Sequence, residues 1–132
     1  MGDFRVLVTG SRHATTTQAR YVHETLDEVH HADRQLFGRR PMVVIQGECP
    51  YGGVDLAAKQ WAEDTDGVRT ESYPADWKRL GKAAGMARNT VMVRAGADLC
   101  LAFPARGSRG TWDCLRKAVD AGITPRLCPL RP

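Results

Sequence analysis

Short apolar runs alternate along this chain with longer stretches in which apolar residues recur every three or four positions. The runs are Arg5–Thr9 (RVLVT), Met42–Gln46 (MVVIQ), Arg69–Tyr73 (RTESY), Asp98–Phe103 (DLCLAF) and a short one inside Thr124–Leu130, limited by Pro125 and Pro129. Each reads as a strand. "VLV" and "VVI" are apolar throughout, which suits strands covered on both faces. The third run is the most polar and is placed at an edge. Between the strands, Tyr21, Val22, Thr25, Leu26 and Val29 fall on one helical face, after a "TTTQ" segment that offers N-caps. Val54, Ala57, Ala58, Trp61 and Ala62 form a second face. Ala83, Ala87, Thr90, Val91 and Arg94 form a weaker third, and Thr111, Leu115, Ala118, Val119 and Gly122 a fourth, with Gly122 ending that helix. Asp33–Pro41 reads as a polar helix end plus loop.

Strand–helix alternation of this kind implies right-handed βαβ units and a parallel sheet. The expectation is an α/β fold over residues 1–132: one doubly wound, Rossmann-like domain of about five parallel strands in the order 3-2-1-4-5. A chain of 132 residues can bury a sufficient core without staples.

Composition excludes several classes. Hydrophobic residues make up 42% and charged residues 26%, a globular balance. No run approaches a membrane span, and "MGDFRVLVTG" lacks the pattern of a signal peptide, so a cytoplasmic protein with no membrane partner is expected. Cys49, Cys100, Cys114 and Cys128 include no C-x-x-C pair, and the four histidines lie elsewhere. Free thiols are expected, with no metal site and no cofactor. The net charge of +4 is mild support for an anionic ligand, and weaker support for nucleic acid, because no basic run with interleaved aromatics occurs.

With strand order 3-2-1-4-5, a ligand sits beyond the carboxyl ends of the first and fourth strands, where the order reverses. The loops there are "TGSRHATTT" and "PARGSRGT". Gly10 either lets a ligand approach or supplies backbone angles for an ordinary turn; Ser11 can donate and Arg12 can pair with phosphate. Ser108, Gly110 and Thr111, with Gly107, can offer N–H groups at a helix N-terminus, or form a turn with a hydroxyl cap. The second strand ends in "QGECPYGGVDLAA", where Gly47, Gly52 and Gly53 make a third glycine-rich loop. Asp55 in the next helical turn is a ligand contact or compensates the helix dipole. Arg88 and Asn89 either reach a phosphate and a base or ribose, or belong to a solvated face. Trp77 either stacks on a base or covers the core. Neither G-x-G-x-x-G nor a P-loop lysine is present.

Taken together, "VTGSR", "QGECPYGGVDLAAKQWA", "YPADWKRLGKAAGMARNTVM", "ADLCLAFP" and "GSRGTWDCLRKA" resemble the SLOG superfamily, and more narrowly its small bacterial and phage YpsA-related group. The resemblance runs from about Arg5 to Ile123. It implies a Rossmann-like fold that binds a nucleotide or nucleotide-derived ligand. Relatives include the LOG phosphoribohydrolases, which cleave a base from a nucleoside 5′-monophosphate, and the Smf-type proteins, which bind single-stranded DNA. By position, Gly10, Ser11 and Arg12 match the first-loop motif; Gly47, Gly53 and Asp55 the second; Arg88 and Asn89 the "RN" element; Ser108, Gly110 and Thr111 the phosphate loop. A homodimer is implied by the LOG kinship and by the small-residue helix faces.

One departure changes the functional expectation. LOG enzymes carry P-G-G-x-G-T-x-x-E, and its glutamate serves glycosidic cleavage. Here Cys114 falls on that position, and Asp113 is one residue early, about 100° around the helix. Glycosidic cleavage needs a carboxylate as positive charge develops. The expectation is therefore a nucleotide-ligand sensor or sequestering protein. The alternatives are an N-glycosidase with a rearranged carboxylate, drawn from Glu48, Asp55 or Asp113, and a single-strand nucleic-acid binder.

Overall fold

The computed structural model describes residues 2–132. Five parallel strands, β1 (Phe4–Gly10), β2 (Met42–Gln46), β3 (Val68–Ser72), β4 (Leu99–Phe103) and β5 (Thr124–Leu127), form one sheet in the order β3-β2-β1-β4-β5. This is the doubly wound order expected from the pattern, with β3 at an edge. β1 pairs with β2 through Phe4↔Met42 to Leu7↔Ile45, and with β4 through Val6↔Leu99 to Gly10↔Phe103.

The helices lie on both faces. On one, α1 (Thr16–Phe37) and α2 (Gly53–Glu63) cover Val6, Val8, Val44, Leu101 and Phe103. On the other, α4 (Ala84–Ala95) and α5 (Arg109–Asp120) cover Leu7, Val43, Ile45 and Cys100. Alternate β1 residues thus feed opposite cores, which is why "VLV" carries no polar position. α1 starts in a capping box: Thr15 Oγ1 accepts the Gln18 N–H at 3.1 Å, and Gln18 Oε1 accepts the Thr15 N–H at 2.9 Å. The second helical face is buried as read: Val54, Ala57, Ala58, Trp61 and Ala62 all lie in the core.

The third and fourth faces differ in part from the pattern, although Thr111 and Ala118 are buried and Leu115 packs against the core as the spacing predicts. α4 buries Ala84, Asn89, Met92 and Val93, whereas Val91 is 53% exposed. α5 buries Thr111, Asp113, Cys114 and Ala118, whereas Val119 is exposed. Both helices turn polar side chains inward, Asn89 and Asp113, where those side chains bond each other. Apolar periodicity cannot register a face built around such a pair. Between β3 and α4 the chain forms a strap: α3 (Trp77–Leu80) and a 3-10 turn (Gly81–Ala83), neither with a buried residue.

Among the described residues no helix is long and apolar enough to cross a membrane, and no group of histidine, cysteine, aspartate or glutamate side chains is placed to hold a metal. All four cysteines are free.

Candidate ligand-binding cleft

At the carboxyl ends of β1 and β4, α1 departs to one face and α5 to the other. A cleft of about 460 Å³ opens there, within the range of small-molecule sites. Its walls are the loops after β1, β2 and β4, the strap, and the start of α4.

The first loop is fixed from both sides. The Ser11 N–H donates to Phe103 O at 3.1 Å, and Ser11 O accepts the Val54 N–H at 3.0 Å. A Cβ on Gly10 would stand 2.6 Å from the Val54 side chain. Gly10 therefore lets α2 pack against the end of β1, a role distinct from both sequence readings. Gly53, at φ 61°, leaves the same kind of gap: a Cβ there would lie 2.3 Å from Ser11 O. The first loop thus occupies the N-terminus of α2. Gly47 and Gly53 stand behind the cleft and do not line it, whereas Gly10, Ser11 and Arg12 do. The Arg12 guanidinium sits over the Trp77 ring, 5.5 Å from its centre. Trp77 faces the cleft and is half-buried, so it is neither a core cover nor a free surface group.

Arg88 and Asn89 are not a solvated face. Arg88 Nε donates to Asn89 Oδ1 at 3.0 Å, and Arg88 Nη1 donates to Gly47 O at 2.5 Å. Asn89 is 2% exposed, and its Nδ2 donates to Gly110 O and to Asp113 Oδ2, each at 3.1 Å. Both amide hydrogens are therefore engaged within the protein, and Asn89 braces Arg88 against the first turn of α5. Asn89 thus has a positioning task, and it lines the cleft together with Arg88.

The loop after β4 closes on itself. Ser108 Oγ accepts the Ala105 N–H at 2.9 Å, so it does not cap the helix that follows, and α5 has no side-chain cap. Arg109 opens α5 with its N–H on Gly107 O at 2.9 Å, and Gly110 and Thr111, the next residues of that turn, line the cleft. A Cβ on Gly110 would meet nothing within 4 Å, which marks the space in front of it as open. Uncapped N–H groups and the positive end of the helix dipole favour an anion there.

The three candidate carboxylates separate cleanly. Glu48 lies outside the cleft, with its carboxylate on Lys59 Nζ at 2.9 Å. Asp113 also lies outside, bonded to Asn89, Arg116 and Lys117. Asp55 alone lines the cleft, and it is 7% exposed. Its Oδ2 accepts the Cys49 N–H at 3.1 Å. Burial pushes its carboxyl up to about 6, against the pull of the nearby Arg88 charge and the loop N–H groups. Cys114, on the position of the LOG glutamate, is fully buried. Burial pushes its thiol up to about 11, with the Thr9 hydroxyl bonded to the sulfur offsetting part of the effect. It can neither ionise readily nor reach the cleft.

Sequence reasoning passed over Lys82, Arg106, Arg109, His13, Tyr51 and Met86, all of which line the cleft. Arg106 and Arg109 were legible as charges interleaved with Gly107 and Gly110. Lys82 and Tyr51 carried no local signal, because only the fold carries the strap and the β2 loop to the same opening. The His13 and Tyr51 rings lie 5.6 Å apart.

A parallel sheet in this order, with a cationic, glycine-lined cleft at its switch point, defines a Rossmann-like domain. The model of the YspA, cpYpsA-related SLOG family matches residues 4–80. The Gene 61 protein of Mycobacterium phage D29 is 44% identical over 124 residues, covering 90% of this chain and 91% of that protein. No solved structure matches at a significant level. The chain belongs to the YspA, cpYpsA-related SLOG family.

Proposed function

We propose that the protein binds a nucleotide or nucleotide-derived ligand in this cleft and acts as a sensor or sequestering protein. The observation that carries the reading is the first turn of α5: Gly110 and Thr111 open uncapped beside Arg106 and Arg109, because Ser108 has turned back to Ala105. An anionic phosphate fits that arrangement, and Trp77 and Tyr51 at the same opening offer ring surfaces for a base. Membership of a SLOG family supports a nucleotide-related ligand at the level of class. A homodimer is part of this reading. Trp112 and Val119, seven residues apart on α5, expose 48% and 49% of their surface, and α5 starts at the cleft.

One observation favours an N-glycosidase as second reading. Asp55 lines the cleft with a carboxyl at about 6, where a group can exchange a proton near neutral pH. Against it stands the position of Cys114. The test has two parts. Calorimetric titration with a nucleoside monophosphate and with the uncharged nucleoside should give binding of the first only. Chromatography after long incubation should find no free base. Equal binding of both compounds removes the phosphate site; release of base replaces the sensor with the enzyme.

A further inference from the structure

Five cationic side chains line the cleft: Arg12, Lys82, Arg88, Arg106 and Arg109. One carboxylate, Asp55, lines it with them. With Asp55 ionised the lining carries a formal +4. The whole chain has 19 Lys and Arg against 15 Asp and Glu, also +4. Outside the cleft, 14 cations therefore face 14 anions, and the entire excess charge of the chain is held at one opening. None of the five cations forms an ion pair among the described residues, whereas eight of the fourteen outside the cleft do: Arg5, Arg40, Lys59, Arg69, Arg79, Arg116, Lys117 and Arg126. Scattered solvent-facing charge would be spread over the surface. A cleft of one sign between low-dielectric walls focuses its field on whatever enters.

The charges also fall into two groups. Arg106 and Arg109 flank the start of α5, on the β4 side. Arg12 leans over Trp77, which follows β3 on the other side of β1, and Lys82 lies five residues further along the same strap. Arg88 is held inside, on Gly47 O and Asn89. A single phosphate carries about −1.5 to −2 at neutral pH. Seated at α5, it neutralises half of the lining charge or less and leaves the strap-side cations facing one another.

Building on the nucleotide reading, we infer that the cleft takes a ligand with two or more linked phosphate groups, such as a nucleoside diphosphate, with the second phosphate reaching Arg12 and Lys82. The probes are adenosine monophosphate, adenosine diphosphate, inorganic phosphate, inorganic pyrophosphate and a short single-stranded oligonucleotide, each titrated calorimetrically into the whole protein. The diphosphate should bind at least about tenfold tighter than the monophosphate, since charge-assisted hydrogen bonds are the strong ones. Pyrophosphate should displace it better than phosphate does. Lys82→Ala, at an exposed position on the strap, should reduce the ratio between diphosphate and monophosphate affinity. Circular dichroism should report an unchanged fold for this variant.

Equal affinities for the two nucleotides overturn this inference and leave the nucleotide reading standing. Binding of neither overturns both. An oligonucleotide that binds more tightly than the diphosphate shows an extended polyanion instead, and likewise overturns it. A ratio unchanged in Lys82→Ala, Arg12→Ala and Arg106→Ala alike removes the assignment to these side chains.

Discussion

The guanidinium of Arg88 fills the space where any other residue at position 47 would put its side chain. A Cβ built on Gly47 would stand 2.0 Å from Arg88 Nη1 and 2.5 Å from Cζ. Gly47 also supplies the carbonyl that Nη1 bonds. A glycine that reads as part of a ligand loop thus serves the ligand indirectly, by holding a cation in place.

From this contact follows the first prediction. Gly47→Ala should expel the guanidinium and cost about 1–3 kcal/mol of stability, through the lost bonds to Gly47 O and to the buried Asn89 Oδ1. It should also weaken nucleotide binding, although residue 47 does not line the cleft. Urea denaturation and calorimetric titration of the same variant check both effects. Ligand affinity equal to wild type would show that Arg88 does not contribute to binding.

Gly110 is the opposite case, since its missing side chain faces open space. Gly110→Val should abolish nucleotide binding while moving stability by no more than about 0.5 kcal/mol, as for a surface change that touches nothing. Denaturation midpoint and titration, measured together, separate a blocked site from a damaged fold.

Asn89 links α4 to the first turn of α5. Asn89→Ala removes one donor each from Gly110 O and from Asp113 Oδ2, which keeps Lys117 Nζ, and leaves the part-buried Arg88 Nε without its acceptor. The expected cost is about 1–3 kcal/mol, the penalty for a buried polar group without its partner. Amide hydrogen exchange should rise first in the opening turn of α5, ahead of the sheet.

Asp55 gives a pH dependence with a definite sign. Its carboxyl is raised from 3.8 to about 6 by burial. A raised value means the folded state holds the proton more tightly than the unfolded state. The stabilising contribution is therefore complete below about pH 4 and is lost as pH rises through 6, a loss of about 3 kcal/mol. Asp55→Asn keeps an oxygen for the Cys49 N–H and removes the ionisation. Its stability relative to wild type should climb between pH 4 and 6 and then level off. Denaturation curves at a series of pH values check this, and a constant difference from pH 4 to 8 would contradict it.

For self-association, light scattering at high micromolar concentration should report a dimer. Trp112→Asp, which places a charge on the exposed face of α5, should return it to monomer.

Much of this architecture was present in the order of residues. Apolar runs such as "VLV" and "VVI" fix buried parallel strands, and helical stretches between them fix the crossovers. The handedness of βαβ units leaves few ways to arrange five strands. The switch point and its two glycine loops follow from that order. What tertiary structure alone decided is the direction of each polar side chain. Gly10 and Gly53 answer to Val54 and to the Ser11 and Arg12 backbone, partners about forty residues away in sequence. Asn89 and Asp113 turn inward because each satisfies the other, a contact across two helices that no local pattern encodes. Glu48 and Asp113 are drawn away from the cleft by Lys59, Arg116 and Lys117, which leaves Asp55 alone at the opening. Hydrophobic burial acts through periodicity and so can be read along the chain. Hydrogen bonds and ion pairs are short-ranged and directional, and their partners are known only once the chain has folded.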